Sequence, residues 1–69
     1  MISVTLLIKE LDPHFVAKLV SLAMDVDPRS AAYRDIVDIA TEACMGVRDT
    51  YANRLAIAGV VCARFEVQF

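Results

Sequence analysis

Apolar and polar residues alternate along residues 2–9. Ile2, Val4, Leu6 and Ile8 fall on one side, and Ser3, Thr5, Leu7 and Lys9 on the other. This period of two predicts a half-buried strand. Asp12-Pro13 follows: a good N-cap, then a proline whose missing N–H would have no helical partner anyway. The pair predicts a helix over 13–25. Within it His14, Lys18, Ser21 and Asp25 share one narrow polar stripe, while Phe15, Val16, Leu19, Val20, Leu22, Ala23 and Met24 cover most of the rest. An apolar arc this wide predicts a helix covered on two sides.

Asp27-Pro28 repeats the same device, with Ser30 as an alternative cap. Tyr33, Ile36, Val37, Ala40, Cys44, Val47, Tyr51, Leu55 and Ala58 then share one stripe that stays in phase across Gly46. The phase predicts one continuous second helix reaching Ala58, with Gly59 as its stop. Residues 60–69 alternate again. Val61, Ala63, Phe65, Val67 and Phe69 form one face, and Val60, Cys62, Arg64, Glu66 and Gln68 the other, which predicts a second strand. The chain therefore reads β-α-α-β. It is a single α+β domain over 1–69, with an antiparallel helical hairpin packed on a small antiparallel sheet.

Element lengths then call for a second subunit. The second helix, at about 28 residues, would be about 42 Å long, against about 20 Å for the first. Its overshooting half still carries Val47, Tyr51 and Leu55, which need cover. A two-stranded sheet is also marginal in water and leaves its edges open. A C2 homodimer with an extended sheet answers both needs. Its expected interface is Val16, Val20, Val47, Tyr51 and Leu55.

Composition strengthens that expectation. The chain has 69 residues, of which 58% are hydrophobic, and a mean hydropathy of +0.54. A domain this size buries only about 60% of its unfolded surface, so small domains lean on disulfides, metals or oligomerisation. His14 is the sole histidine, and a three- or four-ligand Cys/His site cannot be built from it within one chain. Cys44 and Cys62 fit no metal-ligand spacing; they read as buried free thiols, with one disulfide as the alternative. No cofactor is expected. The net charge of −2 gives no global attraction to nucleic acid. The uncharged run over 55–63 is far shorter than the roughly 20 residues of a membrane span, and residues 2–8 lack a basic leader and cleavage site. These features point to the cytoplasm.

Phosphate-binding, nucleophile-elbow and zinc-protease motifs are absent from the sequence. The chain is therefore expected not to be an enzyme. Asp35, Asp38, Glu42 and Asp49 lie along the second helix opposite its apolar stripe. They form either a solvated face or a negative ridge for a basic partner. Arg48 and Arg54 flank Tyr51, and these residue types are common binding anchors. The expected partner-binding residues are thus Arg48, Tyr51, Arg54, Asp35, Asp38 and Glu42. The expected function is a small protein-binding module, a homodimeric adaptor or inhibitor of a larger protein. By analogy of composition, it suits a phage- or plasmid-borne inhibitor of host machinery.

The alternative is DNA binding. Residues 2–45 resemble the ribbon-helix-helix repressors: an alternating strand, a short helix, a turn reading Asp27-Pro28-Arg29-Ser30, and a second helix. The resemblance implies a transcriptional regulator whose paired strands read bases through Ser3, Thr5, Leu7 and Lys9. Lys9 is the one basic residue on that face, and the predicted C-terminal strand has no place in that family.

Overall fold

Asp12 opens the first helix as its sequence position suggests. Its side chain accepts the backbone N–H of His14 at 2.9 Å, and Pro13 occupies the first helical position. The computed structural model of the chain describes residues 9–69, and these hold three helices: α1 over Pro13–Met24, α2 over Ala31–Cys44 and α3 over Tyr51–Arg64. Asp25 closes α1 in the left-handed region, at φ 55°. The Asp25 N–H donates to the Leu22 carbonyl at 3.4 Å and the Val26 N–H to the Ser21 carbonyl at 2.9 Å, which satisfies two of the orphan carbonyls at the helix end.

The predicted second helix is two helices. It ends at Cys44, Gly46 takes φ 73°, and residues 45–50 cross to a new start. Thr50 caps that start, its hydroxyl accepting the Asn53 N–H at 3.1 Å. Phase alone could not reveal the break, because apolar stripes of two helices can stay in register across a loop. The left-handed glycine and the Thr50 cap are the local chemistry that ends one helix and begins another.

The predicted C-terminal strand is also overturned. Residues 60–64 continue α3, and Gly59 lies inside the helix. Ala58, Val61 and Cys62 are all fully buried, which is the i, i+3, i+4 spacing of a helix face. Strand alternation would have put Val61 and Cys62 on opposite faces. The helix closes at Glu66, φ 59°, with the Val67 N–H on the Cys62 carbonyl at 3.0 Å.

No strand or sheet is present among the described residues, so the fold is a three-helix globule and not an α+β hairpin on a sheet. The first predicted strand lies outside the described residues except for Lys9. What remains of sheet pairing is one antiparallel bridge between Glu10 and Arg48. Two backbone bonds flank it, from the Leu11 N–H to the Val47 carbonyl and from the Asp49 N–H to the Lys9 carbonyl, both 2.8 Å.

α1 packs against both α2 and α3, but its wide apolar arc is not fully covered: Phe15, Leu22 and Ala23 stay exposed. Val16, Val20, Ile36, Val61 and Cys62 are the largest fully enclosed side chains. Ala17, Ala40 and Ala58 lie among them, and small contact residues let helix axes approach closely. Ser21, placed on the polar stripe by the sequence pattern, is buried as well; its hydroxyl donates to the Lys18 carbonyl at 2.8 Å. Among the described residues no helix is long and apolar enough to cross a membrane.

Candidate protein-binding surfaces

The expected Arg48–Tyr51–Arg54 patch is divided by the fold. Tyr51 is the first residue of α3 and is 77% exposed. Arg48 is exposed at the bridge, where its carbonyl accepts the Asn53 side-chain N–H at 2.9 Å. Arg54 is engaged internally. Its guanidinium grips the Asp49 carboxylate with two bonds, at 2.6 and 3.0 Å, and lies over the Phe15 ring at 4.7 Å. The fork geometry matches a carboxylate, and the aromatic face adds a cation–π contact. The hydrogen bond from Arg54 holds the Asp49 carboxyl below its ordinary range; partial burial opposes this, and the charges of Arg54 and Lys9 add to it. The same bond raises the Arg54 pKa. Around the pair, Lys9, Leu11 and Asp12 help to line a hollow of about 160 Å³.

The residues expected at a subunit interface are also dispersed. Val16 and Val20 are enclosed by the chain's own helices, Val47 is half-buried in the crossing, and Leu55 and Tyr51 are exposed on α3. The overshooting helix that called for a second subunit does not form. Leu22, 78% exposed, and Phe15 face outward on α1, with Lys18 between them in sequence.

Asp35, Asp38 and Glu42 are all exposed on α2. Two ion pairs form among the described residues, Arg54–Asp49 and the exposed Arg29–Asp27, and these three acids take part in neither. Beside them lies a groove that the sequence pattern did not indicate. Ile39 and Ala43 of α2 face Val60 and Arg64 of α3 across about 180 Å³, with Glu42 on the rim. The pattern does not show it because the groove exists only where residues 60–64 continue α3 and lie against α2.

For cofactor or metal chemistry, no group of three His, Cys, Asp or Glu side chains that could hold an ion occurs among the described residues. Cys44 and Cys62 are free and buried, and burial raises both thiol pKa values. His14 is exposed, and Ser3, Thr5 and Leu7 of the expected base-reading face lie outside the described residues. Comparison with family models, with curated proteins and with solved structures found no match to this chain.

Proposed function

We propose that this chain is a small, non-enzymatic protein-binding module that acts as an adaptor or inhibitor by covering part of a larger protein. The observation that supports it best is the groove between α2 and α3. Its apolar floor of Ile39, Ala43 and Val60 is open to solvent while the core beneath is already closed. An apolar floor with a charged rim is the anatomy of a docking patch. Leu22 and the part of Phe15 that Arg54 leaves open are exposed on α1 and offer a second surface.

Photo-crosslinking in cells tests this reading. A photoreactive phenylalanine analogue is placed at Ala56, one turn from Val60, or at Lys18 between Phe15 and Leu22, with Arg29 in the α1–α2 turn as the background position. Discrete adducts with another protein at Ala56 or Lys18, and none at Arg29, are expected. An adduct of twice the chain mass would make the partner a second copy. Absence of any protein adduct at both positions would overturn the reading.

A further inference from the structure

The nature of the partner can be taken further, resting on the protein-binding reading above. We infer that the groove between α2 and α3 receives an amphipathic helix with a basic edge, which seats one apolar side chain against Ile39, Ala43 and Val60. Three features carry this. The first is size. The groove offers about 180 Å³, and a cavity of roughly 150 Å³ already admits a benzene-sized group. One apolar side chain of about that size fits, but an aromatic pair does not.

The second is shape. The groove is bounded by two helices that are in contact, α2 on one side and α3 on the other. A helix laid into such a groove presents anchors at i, i+3, i+4 and i+7. Ile39 and Ala43 form one wall at i, i+4 spacing and Val60 and Arg64 the other, one turn of helix on each side, so a single anchor of the partner helix enters between them.

The third is charge. Along α2, at 100° per residue, Asp35 and Glu42 stand directly beside Ile39, with Asp38 next and Arg34 beyond it, away from the groove. The wall on the α2 side is therefore acidic, and its carboxylates join no ion pair among the described residues. A basic edge on the partner would meet them at the rim, where opposite charge speeds encounter and rejects acidic competitors. Arg64 stands in the last turn of α3, where a cation suits the helix dipole. It gives the groove one positive end, which favours a single acid at the matching end of the partner and so fixes its direction.

The test uses the full chain and two designed 18-residue helical peptides as probes. Both carry leucines at i, i+3, i+4 and i+7; one is flanked by lysines and the other by glutamates. Binding is read by fluorescence anisotropy at low and at physiological salt. The lysine peptide should bind at least tenfold more tightly, with affinity falling as salt rises. The double variant Asp35→Asn/Glu42→Gln should weaken it between about threefold and tenfold, the range for two exposed ion pairs. Glu10→Gln/Asp25→Asn, which makes the same charge change outside the groove, should leave binding within twofold of wild type. Val60→Lys should abolish binding with the thermal midpoint preserved. Equal affinity for both peptides, or equal loss in the two double variants, would overturn the inference. If the peptides fail while Ala56 still crosslinks to a protein, the partner class is wrong and the protein-binding reading stands. If the Ala56 adduct is a second copy of this chain, the groove's occupant is the chain itself and the basic-helix inference falls.

Discussion

Arg54 joins three parts of the chain through one planar group. Its fork grips Asp49 from the crossing segment, its face lies on Phe15 of α1, and its backbone belongs to α3. Lysine could keep the charge but neither the fork nor the stacked plane. Arg54→Lys should therefore lower the urea midpoint nearly as far as Arg54→Ala does, as read by far-ultraviolet circular dichroism. The pair also sets an acid response. The folded Asp49 carboxyl titrates below its ordinary value of 3.8. Its contribution is thus fully present above that value and is lost as pH falls through the depressed folded value. On acid titration wild type should lose stability more steeply below about pH 4 than Asp49→Asn, which has nothing there to protonate. Parallel acid profiles would remove the pair from the account.

At the scale of elements, the two glycines make opposite predictions. Gly46 sits at φ +73° with nothing within 4 Å of an added methyl group, so the cost of alanine there is purely backbone. That cost is about 1 kcal/mol once the stiffer unfolded chain is allowed for. Gly59 is helical, and an added Cβ would meet the Phe69 ring at 4.0 Å, an ordinary contact. Gly59→Ala should stabilise by up to about 1 kcal/mol through helix propensity. Chemical denaturation of both variants checks the signs. Thr50→Ala should cost about 1 kcal/mol through loss of the cap. The contrast also shows what could be read in advance. The start of α1 was legible because Asp12-Pro13 is local chemistry, while its wide arc overstates the cover, since Phe15, Leu22 and Ala23 stay exposed. The break at Gly46 and the helical run through Gly59 were not, since each glycine is compatible with a stop or a continuation. Tertiary packing chose: Ala58, Val61 and Cys62 reach the core only as a helix. For the same reason the groove was hidden, since it exists only where α2 and α3 lie side by side. The exposure of Asp35, Asp38 and Glu42 needed only helix phase within α2 and was readable from sequence, whereas Asp49, expected on the same face, lies in the crossing segment and is held by Arg54.

For the whole molecule, neighbouring positions separate surface from interior. Val60 is 52% exposed and Val61 is fully buried. Val60→Thr should change stability by less than about 0.5 kcal/mol. Val61→Thr, which keeps the shape but buries a hydroxyl, should cost about 1–3 kcal/mol. Cys62→Ser should behave like Val61→Thr, because both side chains face the core; a strand would have sent it the other way. The thiols report on the same core. Reaction of Cys44 and Cys62 with a disulfide reagent should be slow in buffer and should accelerate in step with unfolding in urea.

Two helix ends hold a reserve of a different kind. Asp25 and Glu66 take left-handed backbone at φ 55° and 59°, a conformation costing a non-glycine residue roughly 1–2 kcal/mol. Both are also carboxylates beside a helix C-terminus, where negative charge opposes the dipole. Glycine at these positions would relieve strain and charge together, which places the chain below its attainable stability, as is common where selection asks only for enough. For an engineer, these are the first two positions to change, because they harden the scaffold while leaving the groove between α2 and α3 untouched.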